Sequence, residues 1–330
     1  MKKTLAALLL ATTLAVFAQQ PAQAPAQPTN RYAMKLKLND DGSYSLLNEK
    51  RYARLVDLSA IEDLTTPYVY QRDRLQSRDY KGVEVREFTY ATHDGYALKL
   101  AVDLAAADGP TPVVFYLHGG GWARGNNTTF RTLSQYMARQ RGVTGVRIAY
   151  TLAPQPGADV RVSIADVQAA VQWVRDHAAE LNIDPARMGF VGNSAGAHLA
   201  AVGAMTTPEA KALVGTSGIY DLTTAAICQR TKDPQRIAYF CDRDQRVLRD
   251  ASPVNLIPKK QAPAALLFCG TADITVECTQ SEAFAEALRK RGARVDLEVY
   301  PNYDHNLSAK ASDRMEEVFF RTVDFLTENL

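Results

Sequence analysis

The chain has 330 residues, 46% hydrophobic and 22% charged, enough apolar material for one large core or two modest ones and too much for a disordered chain. Lysine and arginine total 38 against 36 acidic residues, and two of the positive charges are Lys2 and Lys3. Without the first 18 residues the balance is therefore 36 to 36, which offers no electrostatic pull toward nucleic acid or an anionic membrane.

Lys2 and Lys3, followed by the apolar run Leu5 to Phe17, read as an export signal over residues 1–18. The run is too short to span a bilayer comfortably, and small-residue cleavage sites end at Ala18 or Ala24. The expectation is a periplasmic or secreted protein with no stable membrane association after cleavage. Residues 19–30, QQPAQAPAQPTN, read as a disordered linker. Residues 31–80 form an N-terminal extension of unknown role. Within it MKLKLNDDGSYSLL alternates around Asp41-Gly42 as a small hairpin would, and 49–64 is compatible with a short helix.

From about residue 83 the pattern becomes regular. VEVREFTY and YALKLAVDL flank Asp94-Gly95, a hairpin turn signal. PVVFYLH and VTGVRIAY are short apolar runs of the buried-strand type, separated by a helical segment at 130–141. Ile164, Val167, Val171, Val174, Ala178 and Leu181 fall at helical spacing and predict an amphipathic helix over 159–181. RMGFVG then predicts a strand and AGAHLAAVGAM a helix. Three more strands follow at ALVGTSG, APAALLFCG and ARVDLEVYP, with helices near 279–291 and 311–328. This rhythm predicts an α/β architecture, a mostly parallel sheet covered by helices on both faces, with the hairpin at one edge. Residues 221–258 carry no strand signal and read as a small cap inserted between core strands.

Four cysteines in an exported chain predict two disulfides, and the local solution, Cys228 with Cys241 and Cys269 with Cys278, is favoured among three pairings. There is no C-x-x-C pair and the five histidines are scattered, so no metal site is expected.

Ligands of open α/β sheets sit at the carboxyl ends of the strands. One predicted strand leads into GNSAG with Ser194, another into GTADITV with Asp273, and a third into PNYDHNL with His305. A fourth leads into HGGGW, residues 118–122. A lone G-x-S-x-G is a weak signal. Placed between strand and helix and followed by Asp and His in that order, it predicts a nucleophile, an orienting acid and a general base. An imidazole titrates near neutral pH, so His305 can accept and return the serine proton, while Asp273 holds its tautomer. The amides of Gly120, Gly121 and Ala195 are the expected oxyanion donors. His198 and Asp304 are weaker candidates for base and acid. His118 is expected to hydrogen-bond within its loop, Asp166 to be a structural partner, and Trp122 to line an acyl pocket or pack a wall.

HGGGW, NIDPARMGFVGNSAGAHLA, GTADITV and the His305 turn resemble the bacterial α/β-hydrolase esterases of the hormone-sensitive-lipase-like and acetylxylan or feruloyl esterase type. The resemblance covers residues 83–330 and makes 81–330 a catalytic domain. It implies an α/β-hydrolase fold, a Ser194–His305–Asp273 triad, and oxyanion donors at Gly120, Gly121 and Ala195. The expected activity is hydrolysis of short-chain carboxylic esters through an acyl-enzyme, on a small ester or an acylated carbohydrate, with no cofactor, metal or nucleic-acid partner. Alternatives are a formamidase or peptidase on the same fold, or a non-catalytic hydrolase-like binding protein. The sequence departs from the family at Asn193, where Asp is usual, at Ala197, where Gly is usual, and in YTLAPQPGADV. It leaves the oligomeric state open.

Overall fold

The computed structural model describes residues 82–309, 312–313 and 315–330, together with two short strands near the N-terminus. These two, β1 (Leu36–Leu38) and β2 (Tyr44–Leu46), pair antiparallel around the Asp41-Gly42 signal. The export segment, the linker and the 49–64 helix lie outside the described residues.

β3 (Glu84–His93) and β4 (Tyr96–Leu104) form the expected hairpin, with Gly95 at φ +89° in the turn. The chain then runs β5 (Thr111–Leu117), α1 (Arg131–Arg141), β6 (Thr144–Ile148), α2 (Val160–Asp176), β7 (Ile183–Asn193), α3 (Ala195–Thr206) and β8 (Ala210–Thr216). Four short helices follow: α4 (Ala226–Gln229), α5 (Pro234–Tyr239), α6 (Gln245–Asp250) and α7 (Pro253–Leu256). β9 (Ala264–Gly270), α8 (Thr279–Lys290), β10 (Val295–Tyr300), the short pair β11 (Ser308–Ala309) and β12 (Ser312–Asp313), and α9 (Met315–Asn329) complete it.

Eight strands make one sheet in the order β10-β9-β8-β7-β5-β6-β4-β3. The first six are parallel; β4 runs antiparallel to β6 and β3 to β4. Period-two alternation sends successive side chains of the buried strands into two separate cores. Val113, Phe115 and Leu117 join the core under α2, α3 and α8. Val114 and Tyr116 join the core under α1 and α9. This is why the strand runs are apolar throughout rather than alternating.

α2 is capped by Asp159, whose carboxylate accepts from the amides of Arg161 and Val162. It stops at Asp176, short of the predicted 181. His177 leaves helical geometry and its ring stacks on Trp173 at 3.9 Å. Ala178 and Leu181 still reach the same core from the turn that follows. α3 is buried all round and runs through the centre of the molecule, which explains its small side chains.

Residues 221–258 carry only helical turns among the described residues and are fastened at several points. Tyr239, Phe240 and Leu248 are buried in the core. Tyr239 donates to Ser163 Oγ at 2.8 Å, and Ser252 Oγ accepts from the Leu222 amide at 2.9 Å. Cys269 and Cys278 form a disulfide, as expected. The other expected pair, Cys228 with Cys241, is not bonded. Cys228, on α4, is buried in the field of Glu277, Asp221 and Arg236, whereas half-buried Cys241 faces Asp159 and Arg161. The two thiols point into different surroundings, so packing and hydrogen bonds hold this segment in place of a staple.

Candidate active site

Parallel strands bring their carboxyl ends to one edge, so the loops after β5, β7, β8, β9 and β10 share a small volume. Ser194 sits on the turn between β7 and α3 with φ +53° and ψ −125°. Such a backbone costs a non-glycine residue about 1–3 kcal/mol and persists only where neighbours enforce it. Here the Ser194 amide donates to Thr216 O at 2.8 Å, and Ser194 O accepts from Ala197 and His198. The flanking glycines are steric requirements. A Cβ on Gly192 would stand 2.2 Å from Gly196 O, and one on Gly196 2.0 Å from Leu117 O.

His305, in the loop after β10, places Nε2 2.9 Å from Ser194 Oγ and Nδ1 2.6 Å from Asp273 Oδ2. Asp273 is buried in the loop after β9, and its second oxygen accepts from the amides of Thr275 and Val276 at 2.7 and 2.8 Å. The structure thus brings all three residues into one hydrogen-bonded line. The His305 Nδ1 is taken by Asp273, and the Asp304 carboxylate caps the Asn306 amide at 2.8 Å.

The HGGGW loop closes the opposite side. Gly120 has φ +116°, and a Cβ there would lie 2.1 Å from Arg124 O. The Gly119 amide donates to Asn193 Oδ1 at 2.9 Å, so Asn193 pins this loop to the turn that carries Ser194. Among the described residues the amides of Gly120, Gly121 and Ala195 donate to no other group. His118 bonds Gly119 O and stacks on Tyr150 at 4.3 Å, and burial holds its pKa down. His198 takes no part in the Ser194–His305–Asp273 line. It is fully buried and held between the Trp122 indole N–H at 3.3 Å and Ala251 O at 2.9 Å. Asp166 pairs with His93 at 2.7 Å and accepts from the Thr151 amide at 2.8 Å, a structural task. Trp122 packs edge-on against Phe240 at 5.1 Å beneath residues 221–258.

Ser217 was not singled out by its sequence. It follows β8 at φ +49°, is buried, and donates from Oγ to His305 O at 3.0 Å, fixing the backbone that carries the imidazole. Its one signal is its position just past a strand end. No group of three His, Cys, Asp or Glu side chains among the described residues could hold a metal ion.

A family model described as BD-FAE matches residues 102–288. The esterase LipQ of Mycobacterium tuberculosis is 30% identical over 235 residues, 65% of this chain and 55% of LipQ. Ethyl acetate hydrolase of Pseudomonas putida is 27% identical over 273 residues, 74% of this chain and 83% of that protein. A thermophilic esterase of Thermogutta terrifontis in its butyrate-bound form matches with a TM-score of 0.61 and 29% identity, over 76% of this chain and 95% of that one. The chain spans about half the length of the first curated relatives it matches, 55% and 51% for the first two.

Proposed function

Because the chain belongs to the BD-FAE family, we propose that it is an exported serine esterase that hydrolyses short-chain carboxylic esters in water. The observation that carries this reading is the Ser194–His305–Asp273 line beside three unused amides. His305 Nε2 takes the hydroxyl proton as Ser194 Oγ attacks the ester carbonyl. The negative charge that develops on the carbonyl oxygen is met by the amides of Gly120, Gly121 and Ala195. Collapse of this intermediate expels the alkoxide, which takes the proton from His305 and leaves an acyl-Ser194. Water then repeats the cycle, with His305 as base, and releases the acid. Asp273 holds the ring through its Nδ1 and stabilises the imidazolium.

A short acyl group is supported by the names of two matches, an ethyl acetate hydrolase and a butyrate-bound esterase. Physical support comes from the surface: among the described residues only Val85 and Ile274 are large exposed hydrophobics, too little for docking at a lipid interface. Acetyl or feruloyl groups on a polysaccharide fit a protein released from the cell.

The test is a p-nitrophenyl ester series from acetyl to dodecanoyl on wild type and Ser194→Ala. The expected result is kcat/KM highest for acetyl to butyryl and a fall beyond about six carbons. Ser194→Ala should lose about 10⁴-fold or more in kcat, because the line acts as a unit. Near-normal turnover by a pure Ser194→Ala preparation would refute the mechanism, and a dodecanoyl optimum the substrate class.

A further inference from the structure

Arg236 lies on α5, and the position of that helix is fixed by its own last turn. Tyr239 and Phe240 are buried and pack on Trp122, the residue that follows Gly121, with ring centres 6.2 and 5.1 Å away. This docking lays the Arg236 guanidinium against Gly121. A Cβ on Gly121 would stand 2.9 Å from Nη2 and 3.4 Å from Cζ, so the guanidinium occupies the space that any other residue would fill. Gly121 is one of the three amides proposed to bind the oxyanion, and Arg236 is therefore a charge at the rim of the reacting centre.

That charge is poorly satisfied within the chain. Among the described residues Nε is buried and has no hydrogen-bond partner. Among those residues its nearest carboxylate oxygen is Asp233 Oδ2 at 3.7 Å, beyond hydrogen-bond reach, while Oδ1 of the same group caps the Gln235 amide. The side chain as a whole is 29% exposed, so a ligand oxygen would reach the Nη atoms and not the buried Nε, and a charge-assisted hydrogen bond there would offset part of the cost of holding the guanidinium partly out of water. The planar fork matches a carboxylate in two parallel hydrogen bonds. Asp233 stands beside Arg236, and Asp221 and Glu277 act on the same Cys228 thiol as Arg236, so these carboxylates repel an incoming anion. A dianion such as a phosphate monoester is repelled about twice as strongly as a monoanion, which leaves a single carboxylate seated directly on the fork as the anion that fits.

We propose that Arg236 is a specificity-determining residue that binds a carboxylate on the substrate. The preferred esters would then be monoanions with the carboxylate a few bonds from the scissile carbonyl. This rests on the esterase reading of the same site. The carboxylate could belong to the acyl part, as in a half-ester of a dicarboxylic acid, or to the alcohol part, as in an acylated hydroxy acid.

The experiment compares p-nitrophenyl acetate, mono-p-nitrophenyl glutarate and 4-acetoxybenzoate on wild type, Arg236→Gln and Arg236→Lys. The reading is the ratio of kcat/KM for each charged ester to that for the neutral acetate, which cancels any loss of folded enzyme. The expected result is a ratio about 10- to 100-fold lower in Arg236→Gln for one charged ester, with partial recovery in Arg236→Lys. Which ester responds assigns the carboxylate to the acyl or the alcohol side. Ratios unchanged for both would overturn the proposal and leave Arg236 as a strut for the loop. Titration of Ser194→Ala protein with glutarate and benzoate, followed by tryptophan fluorescence, gives a readout free of turnover. A dissociation constant about tenfold or more weaker after Arg236→Gln supports the carboxylate site even if no ester is cleaved, an outcome that would sink only the esterase reading. Equal constants would overturn the site even if p-nitrophenyl acetate is a good substrate.

Discussion

His198 shows how one side chain can be essential to a site without touching the chemistry. Its Nδ1 accepts from the Trp122 indole and its Nε2 donates to Ala251 O, which joins the glycine loop, α3 and residues 221–258. The first bond requires a neutral ring, because a protonated Nδ1 cannot accept. Burial enforces this by lowering its pKa from the usual histidine value of 6.5 to about 4. Between those values the unfolded chain binds a proton that the folded chain does not. Stability from this residue is therefore complete above about pH 6.5 and falls as pH drops toward 4, by about 1.4 kcal/mol per unit and about 3 kcal/mol in all. Gln can keep both hydrogen bonds but cannot titrate. Urea unfolding of His198→Gln from pH 7 to 4 should show an acid slope shallower than that of wild type by about one proton. Parallel slopes would mean that His198 is solvated or charged in the folded state.

At the scale of elements, the loop between β9 and α8 is built around its acid. Asp273 Oδ1 gathers the Thr275 and Val276 amides, and the Cys269–Cys278 disulfide closes the same segment from the end of β9 to the start of α8. A loop this short loses about 2–3 kcal/mol of unfolded-state entropy to the cross-link. Replacing both cysteines by serine should lower the melting temperature by about 5–10 °C in calorimetry. A disulfide that only decorates the surface would leave it within a degree. Cys228 and Cys241 belong to the other regime. Their separate surroundings make residues 221–258 depend on Tyr239, Phe240 and Leu248 in the core, and on the Ser252 and His198 hydrogen bonds.

For the whole molecule, no helix among the described residues is long and apolar enough to cross a membrane. The export reading rests on residues 1–18 alone. Together with the cysteine geometry it makes a combined statement about the mature protein. Intact-mass measurement of protein from the producing cell should show cleavage near Ala18 or Ala24. Denaturation without reductant should release two alkylatable thiols, Cys228 and Cys241, and retain one disulfide. A full-length mass would refute export, and four thiols or none would refute the pairing.

Much of this was legible in the sequence because local rules govern it. Apolar runs between turn signals become buried strands, and a strand–helix rhythm becomes a parallel sheet. Gly192 and Gly196 flank Ser194 in a turn whose close backbone contacts leave no room for a side chain at either glycine. The order Ser194, Asp273, His305 was readable for the same reason, since each lies just past a strand end. Tertiary structure decided what depends on direction and contact. Cys228 and Cys241 are close in sequence, yet α4 buries one side chain and the left-handed backbone at Cys241, φ +49°, turns the other outward. Ser217 matters only because β8 and the His305 loop become neighbours. Arg236 looks like one charge among many in a polar segment. It becomes a feature of the site because Tyr239 and Phe240 fold inward onto Trp122 and carry the guanidinium onto Gly121, 115 residues earlier in the chain. Sequence patterns specify backbone shape and burial, but which polar groups finally meet is set by packing between elements that no local pattern encodes.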